Sequence, residues 1–217
     1  MKHILCFGDS NTWGYIPGAG ARYGEHIRWT GVLADELGAD YRVHEDGLNA
    51  RTTVFDSPYK PFLNGLKTLP GVLWAQKPLD LVIISLGTND LKDHTANQAA
   101  RGTGELIACA MNMDKLYPSS TPVFRHGPRI LVVSPIAVGD DLPHIDPDDE
   151  LAGTHAESLK FPEKYAAICK EWNVEMLDAQ TIAEPSPIDC VHMSPESHKA
   201  LGQAIAAKVR EMLADVK

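Results

Sequence analysis

The segment Leu79–Leu86, LDLVIISL, is apolar at six of its eight positions and unbroken from Leu81 to Ile84. A run this short is too brief for a membrane span and too uniform for a strand with one wet face. It reads as a central strand covered on both sides. Such strands belong to parallel sheets, whose crossover helices supply the two coverings. The rest of the chain fits that demand. His3–Phe7, Tyr41–His44, Arg129–Ser134 and Val174–Leu177 read as further short strands. Trp29–Leu37, Gly104–Met113, Pro162–Trp172 and Ser194–Leu213 read as helices between or after them. In Trp29–Leu37 the apolar residues Trp29, Val32, Leu33 and Leu37 recur at helical spacing, and Gly38 follows as a stop. Ser194 is placed to cap the last helix, with Pro195 in its first turn. The expectation is an α/β protein, a three-layer α/β/α sandwich around a flavodoxin-like, five-stranded parallel sheet. No repeat or shift in composition divides the chain, so residues 1–217 are expected to form one domain.

Ligand sites in open parallel sheets lie beyond the carboxyl ends of the strands. Four polar clusters fall where that rule looks for chemistry. Gly8-Asp9-Ser10-Asn11 follows the first strand, and Asn49-Ala50-Arg51-Thr52 follows the second. Gly87-Thr88-Asn89-Asp90 follows the apolar run, and Asp189-Cys190-Val191-His192 precedes the last helix. A serine hydroxyl is a weak nucleophile without a base beside it. His192 is the candidate base for Ser10, because imidazole titrates near neutrality. Asp189 is three residues earlier, close enough to hold the other ring nitrogen and fix the tautomer. A tetrahedral oxyanion needs donors. The backbone at the Ser10 turn offers one and the Asn89 amide another. Alone, Ser10 reads as a turn serine capping the next helix, and the other three clusters outweigh that. Capping and local support suit Asp9 better than catalysis, and Asp90 reads as structural. His198 lies within the final helix without an aspartate at the right spacing, and reads as a surface residue.

These motifs, GDS, GTND and DxxH in order, resemble the SGNH/GDSL hydrolase family over nearly the whole chain. The stretches FGDSNTWGY, RWTGVLADELGADY, GLNARTT and LVVSP resemble its bacterial arylesterase and acyltransferase branch. The resemblance implies the SGNH hydrolase fold and a serine esterase acting on short-chain aryl or alkyl esters through an acyl-enzyme. Acyl transfer or perhydrolysis is a further implied activity, and a carbohydrate acetylesterase is the alternative. A non-catalytic flavodoxin-like binding protein is the rival from another class. The family roles fall on Ser10, Asp189 and His192 as catalytic residues, and on Ser10, Ala50 and Asn89 as the oxyanion hole. Much of the family has Gly where this chain has Ala50, and Gly47 is the fallback for that position. The substrate pocket is assigned to Asp9, Asn11, Trp13, Tyr15 and Val191. For Trp13, core packing at a helix start remains an equal reading. The branch also implies a homo-oligomer, with Ile16–Ile27 and Val54–Leu73 as inserted loops suited to subunit contacts.

Charge narrows the partners. A formal net charge of −9 repels phosphate backbones and anionic lipid heads, so neither nucleic acid nor membrane is expected, and a small-molecule ester is. The first residues lack the apolar stretch of a secretory signal, so a cytoplasmic location is expected. Cys6, Cys109, Cys169 and Cys190 are scattered without paired spacing and read as small buried apolar side chains rather than a disulfide framework or zinc site, with Cys190 a spectator inside DxxH. His144, Asp146, Asp148, Asp149, Glu150 and His155 match no standard metal pattern, so no metal or cofactor is expected. Their long Pro-containing segment, residues 140–155, is expected to pack over the site mouth or to serve a subunit contact. Arg22, Arg28 and Arg51 either line an entrance or pair with acids.

Overall fold

The structure is a computed structural model that describes residues 1–57 and 60–216. Among these, five strands form one parallel sheet: β1 (Lys2–Gly8), β2 (Tyr41–Gly47), β3 (Leu81–Ser85), β4 (Ile130–Ser134) and β5 (Glu175–Asp178). Their spatial order is β2-β1-β3-β4-β5. The helices are α1 (Ser10–Trp13), α2 (Trp29–Leu37), α3 (Gly65–Gln76), α4 (Ala96–Leu116), α5 (Leu142–Ile145), α6 (His155–Ser158), α7 (Phe161–Trp172) and α8 (Pro195–Met212).

Strand alternation divides the core into two halves. Leu5, Phe7, Val82, Ile84 and Val132 point to one face and pack with Leu69 and Leu73 of α3, Leu106 and Ile107 of α4, and Phe161 and Tyr165 of α7. Ile4, Cys6, Leu81, Ile83, Leu131 and Val133 point to the other and pack with Trp29 and Leu33 of α2 and Leu201, Ile205 and Val209 of α8. This is the expected three-layer sandwich. Each large apolar side chain so buried stabilises the fold by roughly 1.5–3 kcal/mol. The buried run Leu81–Ile84 is apolar throughout because its alternate residues face two different helix layers.

Two helices differ from expectation. α4 is twice the length read from Gly104–Met113, because Thr95 and Gln98 form a capping box that starts it eight residues earlier. α3 lies in the segment Val54–Leu73 expected as an inserted loop. Pro70 interrupts its pattern and removes one backbone donor. Asn64 nevertheless caps it, accepting the Lys67 N–H at 3.2 Å. Pro58 and Tyr59 of that segment lie outside the described residues.

β1 has β2 on one side and β3 on the other, so the chain changes direction across β1. The crevice at that switch point opens at the carboxyl ends of β1 and β3. Gly8 ends β1 there, and the backbone is too close for a side chain: a Cβ would sit 2.0 Å from Thr12 Oγ1 and 2.8 Å from the Ser85 carbonyl oxygen. No helix among the described residues is long and apolar enough to cross a membrane.

Candidate active site

The chain leaves β1 through Asp9, whose carboxylate accepts the Asn11 N–H at 3.0 Å and caps the single turn of α1. Ser10 is the first residue of that turn. Across the crevice, a tight loop before α8 carries Asp189 and His192. One Asp189 oxygen accepts the backbone N–H groups of Val191 and His192, at 3.1 and 2.9 Å. The other is 2.8 Å from His192 Nδ1, and His192 Nε2 is 2.9 Å from Ser10 Oγ. Burial raises the Asp189 carboxyl, but the hydrogen bonds from the His192 ring, its backbone and Val191 outweigh burial and hold it below its ordinary value. Cys190 takes φ 56° to close this loop.

Two further turns complete the edge. After β3, Gly87 adopts φ 135° where Tyr165 Oη leaves no room for a Cβ, and the following turn presents Asn89. Asn89 Nδ2 donates to the Arg51 carbonyl at 3.2 Å, which leaves its second amide hydrogen for the cleft. After β2, Ala50 lies in the left-handed region at φ 63°. That conformation favours glycine, the residue that the resemblance implies at this position in many relatives. Among the described residues, no acceptor takes the backbone N–H of Ser10 or of Ala50. Gly47 is instead packed under Trp13, where a Cβ would lie 2.1 Å from the Trp13 nitrogen.

Buried polar groups fix these turns to one another. The Arg51 guanidinium donates to the Gly8 and Asp46 carbonyls at 3.0 and 2.6 Å, pairs with the Asp46 carboxylate at 2.7 Å and lies 4.0 Å over the Phe7 ring. Asp90 accepts the Thr53 N–H and, at 2.7 Å, the Thr53 hydroxyl. Burial pushes the Asp90 carboxyl up to about 7 and the Asp9 carboxyl up to about 6, against the hydrogen bonds each accepts. Arg22, Arg28 and Arg51 all pair with acids. Arg22 and Arg28 share Glu45, which also accepts the Thr30 hydroxyl.

The resulting cleft has a volume of about 510 Å³. Ser10, Ala50, Asn89, Asp189 and His192 line it, with Tyr15 and Val191 on its apolar side. The Tyr15 ring stacks on His192 at 4.2 Å. The acidic segment supplies one wall of the cleft through Asp146, Asp148, Asp149 and Glu150, and Lys92 pairs with Glu150 at 2.5 Å. Asn49 and Thr88, members of two of the polar clusters, also line the cleft, as do Lys92 and Leu151, which nothing in their local sequence singled out. A larger groove of about 600 Å³, lined by His26, Asp35 and Lys199, holds none of the site residues.

Three expected pocket residues do not line the cleft. Asp9 is buried beneath the Ser10 turn as a helix cap. Asn11 turns inward and bonds the His192 loop. Trp13 packs against Arg22 and Tyr15, its carbonyl accepting Arg22 Nε at 2.6 Å. His198 is corrected as well. It is fully buried, and its Nδ1 accepts the Trp29 N–H that opens α2 at 3.3 Å. The face of α8 that carries it meets α2, so the residue is internal. All four cysteines are free. Among the described residues, no group of three or more His, Cys, Asp or Glu side chains is placed to hold a metal.

The model of the GDSL-like lipase/acylhydrolase family matches residues 6–200. The native M. smegmatis aryl esterase is 38% identical, with a TM-score of 0.90 over 98% of this chain and 100% of that one. A carbohydrate acetylesterase from Sinorhizobium meliloti is 37% identical, with a TM-score of 0.89 over the same shares. A second carbohydrate acetylesterase family member from that organism is 35% identical, with a TM-score of 0.90 over 99% of this chain and 100% of that one. No curated protein sequence matches the chain.

Proposed function

The chain belongs to the GDSL-like lipase/acylhydrolase family, and from that premise we propose that it is a serine esterase that cleaves short-chain acyl esters through an acyl-enzyme. One observation carries the reading. Ser10, His192 and Asp189 form a continuous hydrogen-bonded chain of 2.9 and 2.8 Å, beside two backbone donors with no acceptor among the described residues.

The Asp189 carboxylate accepts from Nδ1–H, so the His192 lone pair is on Nε2, facing the Ser10 hydroxyl. Ser10 Oγ attacks the ester carbonyl carbon as its proton passes to Nε2. The oxyanion accepts from the Ser10 N–H, the Ala50 N–H and Asn89 Nδ2. The C–O bond breaks, the alcohol leaves with the proton from Nε2, and the acyl group stays on Ser10. Water then gives a proton to Nε2 and attacks, and the acid leaves as Ser10 recovers its proton. Tyr15 and Val191 confine the acyl group. A series of p-nitrophenyl esters from acetyl to decanoyl tests this. Turnover should fall with chain length, and a steady rise overturns the short-chain assignment.

The carboxylates along the outer wall favour a second reading. Asp146, Asp148 and Asp149 offer acceptors suited to a polyhydroxylated alcohol, as in a carbohydrate acetylesterase. Acetylated sugars compared with phenyl acetate at equal concentration decide between the two. Transfer to an added alcohol belongs to the same acyl-enzyme chemistry, and product partitioning in water measures it. The homo-oligomer rests on the family branch. A light-scattering mass equal to one chain removes it.

A further inference from the structure

Asn11 is next to Ser10, yet its side chain points away from the cleft. Its Nδ2 donates to the Val191 carbonyl at 3.2 Å, and its Oδ1 accepts the Met193 N–H at 3.0 Å. The two partners are the residues immediately before and after His192. They stand 180 and 182 positions away in sequence, and Asn11 is 8% exposed. Among the described residues, no other polar side-chain bond joins the Ser10 turn to the His192 loop, apart from the Ser10–His192 bond itself. Backbone bonds also hold the loop. Ser186 donates to the His192 carbonyl at 2.7 Å, and Gly139 donates to the Cys190 carbonyl at 2.7 Å.

We propose that Asn11 is the positioning residue that sets His192 against Ser10, through a donor-and-acceptor clamp on the backbone either side of the histidine. This rests on the reading of Ser10 and His192 as nucleophile and base. A planar amide is suited to the task because one short side chain carries both a donor and an acceptor. An aspartate of the same shape keeps the acceptor for Met193. When ionised it sets an oxygen against the Val191 carbonyl, and that contact repels. When protonated it regains a donor.

The test uses the full chain and p-nitrophenyl acetate, with wild type, Asn11→Ala, Asn11→Asp and Ser10→Ala. Misplacing a catalytic group by about 1 Å costs on the order of a hundredfold, so Asn11→Ala should lose roughly tenfold to a hundredfold in kcat with KM within about twofold. Fluorophosphonate labelling of Ser10 should slow in parallel. The ratio of Asn11→Asp to wild-type kcat should rise as pH falls, since protonation returns the donor. A purely structural role would lower Tm without that pH-dependent recovery. A kcat within about twofold of wild type in folded Asn11→Ala overturns the proposal. So does a pH-independent ratio for Asn11→Asp, which has the wild-type shape and carries the test if Asn11→Ala does not fold. Wild type that resists labelling, or Ser10→Ala that retains turnover, takes down the esterase reading and this proposal together. Labelling at Ser10 with unaffected Asn11 variants takes down this proposal alone.

Discussion

The inner and outer walls of the cleft are built by opposite means. The inner wall, with Ser10, Ala50, Asn89 and His192, is backed by Asn11, Arg51 and Asp90, whose polar bonds cross between distant segments. The outer wall, residues 140–155, is anchored by the apolar side chains Leu142 and Leu151, which are buried in the core, and its acidic turns are held by local bonds. Asp146 accepts from Asp148 N–H and Asp149 accepts from Leu151 N–H, both two residues on. Its ion pair joins Lys92 to a Glu150 side chain that is 71% exposed, a class of contact worth about 0–1 kcal/mol. Reacting groups need positions fixed to fractions of an ångström, and buried bonds give that. A charged wall exposed to solvent has no such need, and locally bonded turns on two apolar anchors suffice to present it.

The contrast is open to attack from the inner wall first. Ser10→Ala should lower kcat on p-nitrophenyl acetate by at least about 10⁴-fold with Tm unchanged. Retained turnover would move the chemistry elsewhere in the cleft. Asn89→Ala removes one oxyanion donor and should cost about 10²–10³ in kcat with little change in KM. An effect on KM alone would place Asn89 in substrate binding.

Stability against pH probes the support under the inner wall. Burial lowers His198 from 6.5 to about 4, so the folded state prefers its neutral form. Its contribution is complete above pH 6.5 and is lost as pH falls towards 4, about 3 kcal/mol at about 1.4 kcal/mol per pH unit. Asp9 and Asp90 act in the opposite sense. Their carboxyls are raised, so their buried charge costs stability at neutral pH and the cost is relieved on acidification. The readable quantity is therefore the difference between wild type and His198→Asn in denaturant unfolding. That difference should shrink from neutral pH to about pH 4, and a difference constant with pH would remove His198 as its source.

Smaller effects separate backbone strain from surface charge. Ala50→Gly relieves the left-handed backbone and should raise stability by about 1 kcal/mol with esterase activity kept. Lowered stability would mean that the Ala50 conformation carries no strain. On the outer wall, Asp148→Asn should leave stability within about 0.5 kcal/mol, as for exposed sites generally. It should raise turnover of anionic acetate esters relative to neutral ones, and the gain should fade with added salt. A large loss of Tm would show the two walls to be held alike.

The halves of the molecule were legible to different degrees. Leu81–Ile84 and Ile130–Ser134 announce themselves because a doubly covered strand must be apolar at every position. Asp189 and His192 do so because three residues bring a carboxylate back to the ring it orients. Ser10 was legible only in company with them. The start of α4 was readable in Thr95 and Gln98, a signal weaker than the apolar pattern that drew attention to Gly104–Met113. α3 was hidden by Pro70, which a helix tolerates when its cap and its buried leucines are strong enough.

What the sequence by itself determined is the alternation of strand and helix, the order of the polar clusters, and their meeting at one sheet edge, since short-range periodicity and parallel topology require all three. Only the tertiary structure decided the inward turn of Asn11, the burial of His198 against α2, the left-handed backbone of Ala50, and the arginine partners Glu45 and Asp46. These depend on which distant segment meets a side chain. That is settled when the crossovers close and the layers pack, and no local pattern carries it.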